Sequence, residues 1–388
     1  MRLHRDYAAR MSLLPDCVCP VDGTRVRTSL AWCCPVCKGP LDLDYHPTPT
    51  PLKSLAGRVN SLWRYAECLP IGSPTLSLGE GRTPLVPLEG AVSAKLDFLQ
   101  PTLSFKDRGA VLLAELALRL GPDRVVADST GNAGTAVAAY CARAGLPTTV
   151  FVPAGTSGKK LEQIRAHGAR VAEVDGDRAA AADAARGAAD EAGTFYASHV
   201  YNPYFLHGTK TYVHELWEDL GGRLPEVLVL PVGNGTLLLG AALALRELHG
   251  AGLIGRIPTL YAVQAEAVSP IAAAWRAGAR DLGEPVQASA TLAEGIAIAR
   301  PPRARQILSV VREFGGDVLT VTEAEIGAAQ RDLAGRGLYV EPTGVACWAA
   351  VAGSERWGAR RVVVPLCGAG VRGAFAGAPA ASPGAGPA

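Results

Sequence analysis

Short apolar runs rich in β-branched residues alternate with Ala- and Leu-rich stretches of helical period through most of this chain, and no other feature narrows its fold as far. The candidate strands are VVAD at 125–128, TTVFV at 148–152, RVAEV at 170–174, VLVLPV at 227–232, TLYAV at 259–263, DVLTV at 317–321 and RVVVPL at 361–366. Several are apolar throughout, as strands covered on both faces should be. Helical patterns lie between them, as at 106–120, 134–144 and 236–248. The alternation predicts an α/β fold, a mostly parallel sheet with helices on both faces. Ligands of such sheets bind where loops leave the carboxyl ends of the strands, so those loops carry the functional information.

The flanks differ from this middle region. Residues 1–48 hold five of the nine cysteines, at 17, 19, 33, 34 and 37. Residues 374–388, AFAGAPAASPGAGPA, have no periodicity and are expected to be a disordered tail. A length of 388 residues suggests two or three domains, and no solenoid period is present. With 38 basic and 36 acidic residues well mixed, the chain has no electrostatic footprint for nucleic acid. No apolar run is long enough to span a membrane, and the start, MRLHRDYAARMSLLPD, lacks a signal-peptide core. A soluble, cytoplasmic, multi-domain protein is expected.

Four loops carry chemistry. Ser104-Phe105-Lys106-Asp107-Arg108-Gly109 opens a helix, with Ser104 and Asp107 at capping-box spacing. Lys106 then falls in the first turn, near the positive end of the helix dipole. A cation is badly placed there, so its pKa should fall, which suits an amine that must be neutral to attack an aldehyde. A surface lysine pointing to water is the plainer alternative. Asp128-Ser129-Thr130-Gly131-Asn132-Ala133-Gly134 follows a strand and leads into a helix closed by Gly145 and Pro147. Its free amides can hold a carboxylate, although an ordinary loop with Ser and Asn as caps also explains it. Gly233-Asn234-Gly235-Thr236 follows the strand ending at Pro231-Val232 and offers a phosphate cradle without a P-loop lysine. Gly368 to Gly373 match GxGxxG, but residues 374–388 leave no room for the rest of a dinucleotide unit, so NAD or FAD is not expected.

Jointly and in this order, SLGEGRTPL at 77–85, PTLSFKDRGA at 101–110, STGNAG at 129–134, the Gly-Asn-Gly-Thr loop and AEGIAIARP at 293–301 resemble fold-type II pyridoxal-phosphate (PLP) enzymes. Within the tryptophan synthase β and serine/threonine dehydratase superfamily, the threonine synthase branch is the most similar. The resemblance covers about 50–373 and implies a large PLP-binding domain from 49–110 and 215–373, with a small mobile domain from 111–214. The cofactor would lie between them, and a homodimer is implied. By the same resemblance, Lys106 holds PLP covalently beside Phe105 and moves the proton at Cα, while Asn132 bonds the cofactor's 3′-oxygen. Ser129, Thr130 and Gly131 take the substrate carboxylate; Gly233, Asn234, Gly235 and Thr236 take the cofactor phosphate; Cys367 faces the pyridine nitrogen. A neutral thiol cannot hold that nitrogen protonated, which favours elimination over transamination or racemisation. A small buried structural thiol is the plainer reading of Cys367.

The implied activity is a lyase that expels a leaving group from Cβ or Cγ of an amino acid and adds water or another nucleophile, as threonine synthase does. The alternatives are β-replacement on O-phosphoserine or another serine derivative, serine/threonine ammonia-lyase activity, and an idle paralogue that only binds PLP or an amino acid. Three departures bear on the substrate. Phe205 stands where an arginine would help hold a substrate phosphate, and a ring cannot make bidentate charge-assisted bonds. His199, His207 or Lys210 would then compensate, or the substrate carries no phosphate. Leu103 replaces a glycine and is expected to narrow the pocket, and Ala297 stands where an arginine is usual, AEGIA leaning toward the dehydratase pattern. The N-terminal cysteines resemble a zinc ribbon. Cys34-Pro-Val-Cys37 is a good knuckle, whereas Cys19-Pro-Val-Asp22 has an aspartate for its second thiolate. A structural zinc on Cys19, Cys34, Cys37 and Cys17 (or Cys33) is expected, the alternative being a relic ribbon without metal; a disulfide cluster does not suit a cytosolic setting.

Overall fold

All seven apolar runs are strands in the computed structural model, which describes residues 14–285 and 288–372. The expected disordered tail lies outside the described residues. At the N-terminal end, β1 (Cys17–Val18), β2 (Arg25–Val26) and β3 (Asp42–Leu43) form a small antiparallel sheet in the order β2-β1-β3. An antiparallel hairpin follows, β4 (Leu85–Glu89) and β5 (Val92–Lys95). Next, β6 (Arg124–Ala127), β7 (Thr148–Pro153), β8 (Arg170–Val174) and β9 (Thr194–Tyr196) make a parallel sheet in the order β8-β7-β6-β9. Finally β10 (Val227–Pro231), β11 (Thr259–Ala265), β12 (Val318–Val321) and β13 (Val362–Pro365) join the hairpin in a second sheet, ordered β12-β11-β10-β13-β5-β4 and parallel except for β4.

The helices that position the site are α1 (Asp107–Leu120), α2 (Asn132–Ala144), α3 (Arg178–Ala189), α4 (Pro203–Thr209), α5 (Thr211–Asp219), α6 (Thr236–Gly250), α7 (Ala304–Glu313), α8 (Glu323–Gly335) and α9 (Pro342–Ala349). Strand β10 shows why the large sheet needs helices on both faces. Its side chains alternate, so Leu228 and Leu230 join a core with Leu237, Leu238 and Leu245 of α6. Val227 and Val229 join a separate core with Val345 and Trp348 of α9. Period-two alternation on a strand buried at every residue gives three layers. All four strands of the smaller parallel sheet lie between residues 111 and 214. Among the described residues, no helix is long and apolar enough to cross a membrane.

Helix α1 is clamped by close backbone contact. A Cβ on Gly208 would lie 2.0 Å from the Arg108 carbonyl oxygen, so α4 can approach α1 only through glycine. The N-terminal sheet docks on both halves of the molecule. Arg303, buried ahead of α7, donates to the Val200 carbonyl at 2.7 Å, to Asp42 at 2.7 Å and to the Leu41 carbonyl at 2.7 Å. Trp32 Nε1 donates to Asp190 at the end of α3 and packs edge-on against Tyr196 and Tyr201.

Candidate active site

The loops that leave the carboxyl ends of β6, β10 and β13 converge with the start of α1 on a cavity of about 600 Å³. Phe105, Lys106, Ser129, Thr130, Gly131, Asn132, Gly233, Asn234, Gly235, Thr236 and Cys367 all line it. These residues are far apart only along the chain; parallel strands carry them to one edge.

Lys106 is the N-cap residue of α1, and no side chain caps that helix. The capping box expected from Ser104 and Asp107 does not form. Asp107 instead accepts from the Thr102 amide at 2.7 Å and from its hydroxyl, which ties the helix start to the preceding turn. The Lys106 amine stands over the Phe105 ring, 4.5 Å from its centroid, and 5.7 Å from that of Phe205. Burial lowers its pKa from 10.5 to about 8; Cys367 and Glu341 oppose the fall, and the Arg178 charge adds to it. The direction expected from the sequence is right, but removal from water is the main cause.

The Ser129–Gly131 turn delivers α2 with Gly131 as N-cap and no side-chain cap, the Gly131 amide donating to Ser129 Oγ at 3.3 Å. A Cβ on Gly134 would lie 1.9 Å from the Ser129 carbonyl oxygen, so the loop folds back on the helix only because residue 134 is glycine. Gly134→Ala should therefore displace the loop, costing about 1–3 kcal/mol as overpacking does. The check is a denaturation curve beside a substrate titration, with apparent affinity falling further than stability. Asn132 Nδ2 donates to both Glu341 carboxylate oxygens, at 2.9 and 3.1 Å. Glu341 escaped the sequence reading, its only local signal being an acid before Pro342 at the first position of α9.

Gly235 has a φ of +73° at the N-cap of α6, a left-handed turn that points the chain into the helix, and a Cβ there would strike Ile307 at 2.5 Å. The uncapped helix start leaves amides for a phosphate. Cys367 is fully buried, and burial pushes its thiol well above the ordinary cysteine value, so it is uncharged.

Several expectations are corrected. Leu103 does not narrow the cavity: it takes a left-handed φ of +64°, lies at the surface and is absent from the lining. His207 and Lys210 cannot compensate for Phe205, because both are buried outside the cavity, where Lys210 Nζ meets His207 Nδ1 at 3.1 Å and Glu247 at 2.7 Å. His199 does line the cavity, but burial and the Lys106 and Arg178 charges hold it well below the ordinary imidazole value and therefore neutral. Phe205 is fully buried, its ring edge-on to His199. Arg178, from the start of α3, is an unanticipated cationic residue at the wall.

In the N-terminal sheet the cluster with metal-ligand geometry is Cys19, Asp22, Cys34 and Cys37, whose ligand atoms lie within 4.8 Å of one another. Cys19 and Cys37 sulfurs are 3.5 Å apart, and the Cys34 sulfur is 3.5 Å from Asp22 Oδ2. Cys17 is not part of it, since its thiol bonds Thr28 Oγ1 at 3.4 Å. Aspartate occupies the corner for which a remote cysteine was expected.

Comparison with known proteins follows the same lines. The family described as "Pyridoxal-phosphate dependent enzyme" matches residues 76–368. The chain is 34% identical over 332 residues to a threonine synthase of Methanosarcina acetivorans, covering 82% of each chain. It is 33% identical over 302 residues to a threonine synthase of Methanocaldococcus jannaschii, covering 75% of this chain and 74% of that one. Among solved structures, a threonine deaminase (from T.th.) superposes with a TM-score of 0.62 at 29% identity, over 72% of this chain and 87% of the other. A fungal L-serine ammonia-lyase from Rhizomucor miehei shares the fold, with a TM-score of 0.65 at 23% identity over 74% of this chain and 94% of that one. The chain belongs to the fold-type II pyridoxal-phosphate dependent enzymes, in the group that includes the threonine synthases.

Proposed function

We propose that the protein is a threonine synthase-like lyase, which expels a leaving group from Cβ or Cγ of an amino acid and then adds water or another nucleophile. The observation that carries this reading is an uncharged, fully buried Cys367 in the same cavity as an amine whose pKa has fallen to about 8. The residues present fit PLP. Lys106 is partly neutral near physiological pH, Gly235 makes the left-handed turn that brings the amides at the start of α6 to the cavity, and Asn132 is oriented by Glu341. When bound, PLP supplies a sink for electrons left at Cα, and opposite a neutral thiol that sink is weaker than opposite a carboxylate. Lys106 Nζ would take the proton from Cα. The Ser129–Gly131 loop would hold the α-carboxylate and fix which bond at Cα is aligned with the sink. The Phe105 and Phe205 rings beside the amine would shield it from water on their side.

Serine/threonine ammonia-lyase activity is the second reading, favoured by Phe205 and by the 29% identity to a threonine deaminase. β-Replacement on O-phosphoserine is the third. A panel of amino acids offered to the PLP-loaded protein separates them. Phosphate and threonine from O-phosphohomoserine support the first, a 2-oxo acid from threonine or serine the second, and capture of an added nucleophile by O-phosphoserine the third. Turnover of none of them overturns the lyase reading.

The Cys19, Asp22, Cys34 and Cys37 cluster fits a structural zinc, with three sulfur donors and one carboxylate in reach of a single ion. Backbone amides of Val21, Val36 and Gly39 each donate to a cluster sulfur at 3.4 Å, so the turns hold all three sulfurs in place. Purified protein should carry one zinc per chain, and Cys34→Ser should lose the metal and lower the melting midpoint. Metal analysis and a thermal melt check both, and a metal-free wild type of unchanged stability would count against the site.

A further inference from the structure

We infer that Arg178 receives a second anionic group, a phosphate ester or a carboxylate at the far end of the substrate's side chain. The inference rests on the lyase reading above and names the substrate class it acts on. Lys106 and Arg178 are the lysine and arginine that line the described cavity. Lys106 is committed to the cofactor, and His199 is held neutral beside it. The Ser129–Gly131 loop takes an α-carboxylate and the start of α6 takes the cofactor phosphate. A distal anion is left with one strong partner.

The other charged groups at the cavity place that partner on one side. Glu294, Glu323 and Glu341 line it too, all from segments that follow β11 and pack on the six-stranded sheet. Glu323 accepts from Thr291 Oγ1 at 2.5 Å and from the Leu292 amide at 2.7 Å, and Glu341 accepts from Asn132. Arg178 comes instead from the start of α3, beside the four-stranded sheet, and an anion entering the cavity is drawn to it and away from the carboxylates. Its neighbour Asp177 makes no ion pair with it: the Asp177 carboxylate turns to cap α3, accepting from the Ala179 and Ala180 amides at 2.9 and 3.0 Å. Among the described residues, Arg178 has no ion-pair or hydrogen-bond partner, and it is exposed. Its field is nonetheless felt inside, lowering the proton affinity of both Lys106 and His199. A guanidinium fork is suited to bidentate capture of a phosphate or carboxylate, and here it need not abandon an internal partner to do so.

The test titrates PLP-loaded protein with matched amino-acid pairs and follows the visible band of the bound cofactor. The pairs are O-phosphoserine with serine, O-phosphohomoserine with homoserine, and glutamate with glutamine. Wild type should bind the anionic member of at least one pair more tightly, and the pair that shows it tells phosphate from carboxylate. Arg178→Met should weaken that ligand about tenfold to a hundredfold, the range for a hydrogen bond to a charged group, and leave its neutral partner within about twofold. Arg178→Lys should fall between, keeping the charge without the fork; it carries the test should Arg178→Met fail to fold. Equal loss for both members of a pair, no loss for either, or a wild type indifferent to the anion overturns the proposal. Failure of the lyase reading is seen separately, as binding with this preference but no release of phosphate, ammonia or 2-oxo acid.

Discussion

Lys106→Ala should abolish the visible cofactor band, escape labelling by borohydride and cut turnover at least about a thousandfold, within the range expected when a positioned proton-transfer group is removed. The same change should cost the cofactor-free protein little stability. Among the described residues the Lys106 amine has ring faces for neighbours and no hydrogen-bond partner, so deleting it orphans nothing. A pH series gives the claim a second readout. The folded-state pKa of about 8 lies below the ordinary 10.5, so between those values the unfolded chain binds the extra proton. Stability of the cofactor-free wild type should therefore rise as pH climbs from about 8 to about 10.5. Lys106→Met should lack that rise. Denaturation curves across the window decide it, and a flat difference between the two proteins would show that the amine is not desolvated.

Two residues along the same motif, Arg108 should produce the opposite outcome: loss of the fold rather than of the chemistry. Its guanidinium is fully buried and donates to both oxygens of Asp97, at 2.8 Å each, and to both of Glu215, at 2.6 and 2.9 Å. Lys95 supports the same cluster, 3.1 Å from Glu215 and 2.7 Å from Asp219. Burial alone would raise Glu215, but Arg108 and Lys95 outweigh it and hold the carboxyl below the usual range. Arg108→Met leaves the buried Asp97 without its cation and Glu215 with Lys95 alone, a change worth about 3–5 kcal/mol. We expect little soluble protein, or a sharply lowered denaturation midpoint. The penalty should ease in acid, where protonating Glu215 removes part of the uncompensated negative charge. For the wild type the sign is reversed: stability that depends on ionised Glu215 is complete above its ordinary value of 4.5 and is lost as pH falls below it. A variant with normal stability at neutral pH would show that the cluster contributes nothing.

These two residues mark where local reading stops. Lys106 was legible because the glycines, the strand before each loop and the helix after it are all local features. The strand-end loops were legible for the same reason. Strand β5 was not, because VSAK reads as polar until Lys95 is seen inside an ion cluster whose other members come from α1, α5 and the turn before α1. Strand β4 was hidden by Pro87 and Glu89, which an edge strand tolerates. Asp22 was passed over in favour of Cys17 because a thiolate is the commoner ligand, although Cys17 turns to Thr28. His207 and Lys210 looked available from their place in the chain, yet both are buried, Lys210 against Glu247 and His207 against Lys210.

By itself the sequence determined the α/β class and singled out the lysine, the two glycine-bearing strand-end loops and the thiol that line the cavity, because each depends on neighbours within about ten residues and on the periods of strand and helix. The tertiary structure alone decided which charges share the cavity: Arg178 and Glu341, brought to Lys106 from 72 and 235 residues away, and not His207 or Lys210. Electrostatics acts through space, so the sign and strength of a site depend on distances that no local pattern encodes.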